Sequence, residues 1–184
     1  MPTINDMANE LHTEDVPSLE EFATEPGGAW PNGWYTAEII EGYATQRGKV
    51  FATEDTLSQK GDSRNMRLCF RVNNASSSRT MQENFNYRAS DFTPERLSFI
   101  KQAREEYKNV KGRWSDPDAQ RSSLAIATLG QLQKAVGQGF KRNSEGNLLP
   151  AALVGKKVDV RLSTDDKGYN VINAFAPAGT KAGR

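Results

Sequence analysis

The stretch Asn65-Met66-Arg67-Leu68-Cys69-Phe70-Arg71-Val72-Asn73 decides the fold class, because its apolar residues recur at every second position. Met66, Leu68, Phe70 and Val72 fall on one face, and the other face carries Arg67, Cys69 and Arg71. Strict period-two alternation is typical of a β-strand with one face on the core and the other on solvent or a ligand. The sequence therefore predicts a β-rich protein in which this stretch is the second strand.

Further segments rich in β-branched and aromatic residues predict four more strands. They are residues 34–41 before this stretch and residues 79–88, 156–162 and 169–175 after it. Residues 42–64 are polar and predict a long, basic hairpin loop, with a short strand at 49–53. In the third strand Glu83 shares the apolar face of Phe85. In the fourth, the alternation predicts outward-facing Lys157, Asp159 and Arg161.

Between the third and fourth strands the pattern changes to helical spacing. Thr93 and Pro94 are typical of an N-cap and a first helical position, and the first helix is predicted to reach about Val110. A loop through Pro117 follows, and a second helix is predicted from about residue 122 to Val136, where glycines end it. Residues 93–139 therefore predict a helical insertion.

Three strands, two helices and two strands predict a mainly β fold: a five-stranded barrel like the oligonucleotide-binding fold, with the helices between strands three and four. Nothing alternates as strand–helix–strand, which argues against a parallel sheet. The expected organisation is a flexible acidic arm over 1–26, the barrel domain over 27–177 with its insertion at 93–139, and a flexible tail over 178–184.

The net charge of +1 conceals a strong asymmetry along the 184 residues. Residues 1–26 contain no Lys or Arg and seven acids: Asp6, Glu10, Glu14, Asp15, Glu20, Glu21 and Glu25. Removing these seven from the 23 acidic residues leaves 16 against 24 Lys and Arg, a net charge of +8. A basic body favours a polyanionic partner, although charges of both signs also serve solubility alone.

The sequence lacks the residues and motifs that several classes of protein require. No apolar run is long enough to span a bilayer, the N-terminal residues lead us to expect no signal peptide, and a single cysteine, Cys69, favours the reducing cytoplasm. The one histidine, His12, lies in the arm, and no zinc spacing or phosphate-binding glycine loop occurs. We therefore expect no enzyme, no catalytic residues, no metal and no cofactor. A metal-dependent nuclease would need scattered carboxylates to converge: Glu54, Asp55, Asp62 and Asp91.

Non-specific binding of a single strand requires cations that contact phosphates and aromatic rings that stack on bases. The strands and the first loop carry both. The predicted nucleic-acid-binding residues are Arg47, Lys49, Phe51, Arg64, Arg67, Arg71, Arg79, Tyr87, Arg88, Lys157 and Arg161. Each cation alone is typical of an ordinary solvated strand face, and Tyr87 is also compatible with a core position. The prediction depends on the agreement of a basic body, a barrel-like strand order and the alternate positions of the cations.

Four short motifs, in order, resemble a family of phage replication-module proteins, originally of unknown function. They are Pro31–Ile39, Arg67–Val72, Leu129–Gly137 and Leu153–Val160, and the resemblance covers residues 31–176. It implies an oligonucleotide-binding fold and single-stranded DNA binding in phage replication or recombination, in the cytoplasm of a bacterial host. The chain departs from the family in a longer segment at 95–118 and in a basic rather than acidic C-terminus.

The leading hypothesis is a sequence-non-specific single-stranded DNA-binding protein, with replication or recombination proteins and further copies of the chain as additional partners and with no membrane partner. The acidic arm would occupy the basic groove when DNA is absent. Two alternatives remain open at this point: a barrel that acts as a protein-interaction or virion structural module without DNA, and the metal-dependent nuclease.

Overall fold

Eight β-strands and two α-helices make up the part of the chain that the computed structural model describes, residues 28–44, 50–61, 63–110, 112–114 and 116–183. The strands are β1 Gly33–Ile40, β2 Gly42–Ala44, β3 Val50–Ala52, β4 Glu54–Leu57, β5 Arg64–Asn73, β6 Ser78–Tyr87, β7 Lys157–Thr164 and β8 Asn170–Pro177. The helices are α1 Pro94–Asn109 and α2 Pro117–Val136. The predicted acidic arm over 1–26 and the predicted site residues Arg47 and Lys49 lie outside the described residues.

Five long strands, β1, β5, β6, β7 and β8, form a strongly curled, antiparallel half-barrel. β5 pairs with β6 along one edge and with β4 and β1 in succession along the other, and β7 joins β1 to β8. Strands β2 and β3 form a separate small hairpin. The predicted mainly β fold is confirmed at this level, and both helices lie between the third and fourth long strands as expected.

The core lies inside the curl, where the alternate residues of neighbouring strands face one another. Ile39 pairs with Phe70 and Tyr35 with Val160 in the strand register. Ile39, Phe70 and Val160 have no exposed surface. Burying such side chains contributes roughly 1.5–3 kcal/mol each. The inward face predicted from the alternation of β5 is therefore confirmed.

Cys69 lies at the point where β5 changes its partner from β4 to β1. Its N–H donates to Thr53 Oγ1 at 3.0 Å, and the Thr53 hydroxyl donates in turn to the carbonyl of Ile40. The prediction that Cys69 faces outward with Arg67 is wrong about its environment, because Cys69 is fully buried. Burial raises the pKa of its thiol more than nearby Arg71 lowers it.

The helix ends follow their capping residues. Thr93 caps α1 by accepting a hydrogen bond from the Arg96 N–H at 3.3 Å, as the sequence predicts. Helix α2 begins at Pro117 rather than near residue 122, because Asp116 caps it and Pro117 takes the first helical position. The predicted end of the loop is therefore wrong, because the loop stops before Pro117. Gly137, with φ of 74°, terminates α2 in the left-handed conformation that glycine favours.

Helix α2 packs across β6 and β8, the two strands at which the sheet ends. Leu129, Leu132 and Ala135 form its buried side. Leu124 of α2 is 64% exposed, and Leu97 of α1 is 39% exposed. The N-terminal half of α2 therefore presents an uncovered leucine.

Side chains, rather than a backbone ladder, connect β6 to β8 within the described residues. We call this line of contact the seam. Arg79 donates to Asn170 Oδ1 at 2.7 Å, and the Ile172 N–H donates to the Glu83 carboxylate. Glu83 lies on the core face of β6 opposite buried Leu68, which is the register that the sequence predicts. A carboxylate thus satisfies an edge-strand N–H at the margin of the core.

Residues 179–182 are fastened to the outer face of β7 by Asp159. The Asp159 carboxylate accepts hydrogen bonds from the N–H groups of Gly179, Lys181 and Ala182 at 2.8–3.0 Å. Asp159 has no exposed surface, so the prediction that it faces solvent is wrong. It occupies the outward position that alternation assigns, but the chain folds back over it. Three backbone N–H groups in the segment 178–184, which the sequence predicts to be flexible, are thus hydrogen-bonded to Asp159.

Candidate nucleic-acid interface

The outer face of β5 and β6 carries arginines and side-chain amides in direct cross-strand register. Arg67 is opposite Asn84, and Arg71 is opposite Thr80. We call this surface the amide–arginine face, formed by Asn65, Arg67, Arg71, Asn73, Thr80, Gln82, Asn84 and Asn86. Period-two alternation places these residues on one side because β5 and β6 pair along their whole length. The face therefore combines cations with groups that both donate and accept hydrogen bonds.

Both arginines of this face are held in weak, solvent-exposed ion pairs. Arg67 Nη1 lies 3.2 Å from Glu54 Oε1, and Arg71 Nη1 lies 3.9 Å from Glu38 Oε2. The two arginine side chains are 40% and 49% exposed. Exposed pairs of this kind contribute only about 0–1 kcal/mol. A phosphate can therefore replace the carboxylate at little cost.

Lys157 and Arg161 lie on the same outer face, two strands away from β5. Glu38 of β1 pairs in register with Arg71 on one side and with Lys157 on the other. Neighbouring strands are roughly 4.8 Å apart, so Arg71 and Lys157 are about 10 Å apart at the backbone. Both β7 cations are exposed. Register thus brings four of the predicted residues, Arg67, Arg71, Lys157 and Arg161, onto one surface.

Two concavities flank the amide–arginine face. The larger, about 900 Å³, lies between the β4–β6 side of the sheet and α2, and Arg67 and Asn84 line it. We call it the α2 cleft. The smaller, about 530 Å³, is lined by Arg71, Glu38 and Tyr43. A strand that follows the face from Arg71 to Arg67 therefore passes from one concavity into the other.

Tyr43 provides the exposed aromatic ring beside Arg71. It is 49% exposed, and Phe51 supports it edge-on, with the ring centroids 6.5 Å apart. The sequence prediction includes Phe51 in the binding set, but Phe51 lies half-buried behind Tyr43. Such a ring is a suitable platform for one base.

Tyr87 is a core residue and is not accessible for stacking. It is 2% exposed, its hydroxyl donates to Asp55 Oδ1 at 2.8 Å, and it accepts the Leu148 N–H at 2.8 Å. Burial, followed by the hydrogen bond with Asp55, raises the pKa of its phenol to about 12. The prediction that Tyr87 contacts a base is therefore at odds with its position.

Three predicted arginines are engaged elsewhere. Arg64 pairs with Asp55 and so joins β4 to the network around Tyr87. Arg88 donates to Asp118 at 3.0 Å and to Ser122 at 2.8 Å, which fastens α2 to the end of β6. Arg79 points to the opposite side of β6 and contacts β8 at the seam. These side chains hold structural elements together rather than extending the amide–arginine face.

Comparison with protein-family models finds no match. No curated protein matches the sequence either. The resemblance to phage replication-module proteins therefore stays a prediction.

The carboxylates of the nuclease hypothesis are dispersed or paired. Asp55 is bound to Arg64 and Tyr87, and Asp91 is bound to Arg96. Asp62 lies outside the described residues. Within the described part of the chain, no three His, Cys, Asp or Glu side chains are grouped so that they could hold a metal ion.

Neither described helix combines the length and the apolar composition needed to cross a bilayer.

The nucleic-acid-binding set predicted from the sequence misses the side-chain amides of β6. Gln82, Asn84 and Asn86 occupy every second position, and this alternation is the signal by which they could be found.

Proposed function

We propose that this chain is a sequence-non-specific single-stranded DNA-binding protein whose binding surface is the amide–arginine face. The observation that carries the proposal is the placement of Arg67 and Arg71 on one face, between two concavities, in exposed and weak ion pairs. Phosphates provide most of the affinity of such proteins, and their cations must be exchangeable. Tyr43 adds a stacking ring, worth roughly 1–3 kcal/mol per base.

We also propose that the half-barrel is an oligonucleotide-binding fold. The pairing of β1 with both β5 and β7, the β5–β6 and β7–β8 hairpins, and the helices between β6 and β7 are consistent with an oligonucleotide-binding barrel that is open at the seam. We further propose phage replication or recombination in a bacterial cytoplasm as the setting, with replication or recombination proteins and further copies of the chain as partners. These points depend on the sequence resemblance.

The double substitution Arg67→Ala/Arg71→Ala is expected to weaken binding to oligo-dT by about 10- to 30-fold, which corresponds to the loss of two phosphate contacts. The slope of log affinity against log salt should also fall by up to about 2. Fluorescence anisotropy with a labelled oligomer at several salt concentrations measures both. Lys101→Ala/Arg104→Ala is the matched control, because it removes two exposed cations from α1.

Equal losses in the two double variants would show that only overall charge matters and would contradict this surface. Absence of salt-sensitive binding by the unmodified chain would contradict the proposed function. Both substituted arginines are exposed and weakly paired, so thermal unfolding should change little and should identify any variant that fails for structural reasons.

Deletion of residues 1–26 is expected to tighten binding, because it removes seven acids that compete with phosphate for a basic surface. The gain should be largest at low salt, where charge interactions are least screened. The same anisotropy titration measures it. Unchanged or weaker affinity would rule out the arm as a competitor of DNA.

A further inference from the structure

The α2 cleft has features of a ligand site that the phosphate-contacting surface alone does not explain. One wall consists of the chain that follows β4 together with the adjoining parts of β5 and β6, and the other is the N-terminal half of α2. Its volume, about 900 Å³, lies within the range of small-molecule sites. All of its lining belongs to one compact unit, residues 31–184.

Two polar atoms in this lining are buried without a hydrogen-bond partner among the described residues. They are Arg67 Nε and Ser58 Oγ. A buried donor that lacks a partner costs roughly 1–3 kcal/mol, so such atoms are rare in folded proteins. Neither atom is exposed to solvent, so an acceptor of a ligand reaches them only if the Arg67 and Ser58 side chains turn toward the cleft.

Opposed apolar side chains line the two walls of the cleft. Leu57 is the last residue of β4, Leu124 lies in the N-terminal half of α2, and each is 64% exposed. Asn86 and Asn84 lie beside them and offer amides that both donate and accept. A flat ring that carries donors and acceptors on its edge matches a lining of leucine, amide and guanidinium groups.

Several positively charged side chains line the cleft. Lys60 and Arg121 are exposed lining residues, and Arg67 belongs to both the cleft and the amide–arginine face. Arg121 pairs with Asp118 at 3.0 Å and Arg67 pairs with Glu54 at 3.2 Å, and both pairs are exposed. Either arginine can therefore exchange its carboxylate for a phosphate, and Lys60 can bind one as well. A group with a ring and an attached anion therefore fits this site.

We propose that the α2 cleft takes up the base of one nucleotide of the bound strand, turned out of the backbone path between Leu57 and Leu124. The phosphate of that nucleotide stays on Arg67 at the opening. This inference rests on the proposed function, since it assigns a base-binding element to the same surface. It predicts that the protein distinguishes a strand with bases from a strand that has only sugar and phosphate.

The test compares a labelled oligo-dT with an abasic oligomer of equal phosphate number. The unmodified chain should bind oligo-dT more tightly. Leu57→Ala/Leu124→Ala should lower affinity for oligo-dT by about five-fold, since stacking and apolar contact are lost, and should leave abasic binding unchanged. Leu97→Ala, an exposed leucine of α1 outside the cleft lining, is the matched control. Thr128→Tyr, which fills the cleft from an exposed position of α2, should give the same result.

The outcomes separate the two proposals. If the unmodified chain binds both oligomers and the cleft variants affect neither or both equally, the cleft does not hold a base, and the proposed function stands. If the unmodified chain binds neither oligomer, the proposed function and this inference both fall. Thermal unfolding of each variant verifies that exposed positions were changed without loss of the fold.

Discussion

Glu83→Gln is expected to raise the free energy of unfolding by about 3 kcal/mol at pH 8 and to change it little at pH 4. Burial on the core face of β6 is the largest cause that raises the pKa of the Glu83 carboxyl, to about 7, and the Ile172 N–H offsets only part of it. The carboxylate form is therefore disfavoured in the folded protein. Glutamine retains an acceptor for the Ile172 N–H without the charge.

The contribution of Glu83 to the free energy of unfolding falls as pH rises. Between the ordinary glutamate value of about 4.5 and the folded value of about 7, the folded chain holds a proton that the unfolded chain has lost. Glu83 therefore lowers stability progressively as pH rises through this window, and the loss is complete above it. The substituted chain lacks this decline.

Urea unfolding at a series of pH values between 4 and 8 measures the difference. Glu105→Gln, on the exposed surface of α1, is the matched control and should show a small, flat difference. A Glu83→Gln curve parallel to that of the unmodified chain would mean that Glu83 is solvated and charged in the fold, and would contradict the core register of β6.

Asp159→Ala is expected to lower the free energy of unfolding by about 3 kcal/mol, because three hydrogen bonds to a charged acceptor are lost. Burial by itself raises the pKa of Asp159, but the N–H groups of residues 179–182 lower it by more, and the net shift is downward. Its contribution is therefore present above the ordinary aspartate pKa and is lost as pH falls through the lowered folded value.

Release of the C-terminal segment gives a second readout of the same variant. Tryptic cleavage after Lys181 should become faster in Asp159→Ala, since the N–H groups of Lys181 and Ala182 no longer have a fixed acceptor. Asp166→Ala, in the exposed turn between β7 and β8, is the control. Equal cleavage and equal stability in the two variants would show that Asp159 does not hold the segment.

Local patterns in the sequence predict the faces of strands and the caps of helices. The alternation of Met66 and Leu68 predicts the core side of β5, and it correctly assigns Arg67 to the outer side. Pro94 and Gly137 predict helix ends for the same reason, since the signal lies within a few residues of its effect. Such inferences require only the geometry of one element.

Contacts between distant elements are what the sequence does not reveal. Asp159 is outward by alternation, yet a segment about twenty residues later covers it. Arginine is a residue type that contacts phosphates, but the Arg88 guanidinium donates its hydrogen bonds to Asp118 and Ser122 of α2. Leu124 is apolar, but the buried residues in its half of α2 are Ala119, Ser122 and Ser123, and Leu124 is 64% exposed. Each outcome depends on tertiary packing that periodicity does not encode.

The fastening of residues 179–182 to Asp159 also fixes where any following chain leaves the molecule. Because Lys157 and Arg161 flank Asp159 on the outer face of β7, an affinity tag or fluorescent protein joined after residue 184 is attached two residues beyond Ala182, which is bound beside two of the predicted phosphate contacts. An acidic tag at that position would compete with DNA and depress the measured affinity. Binding assays are therefore best performed with a tag that is cleaved off or placed elsewhere.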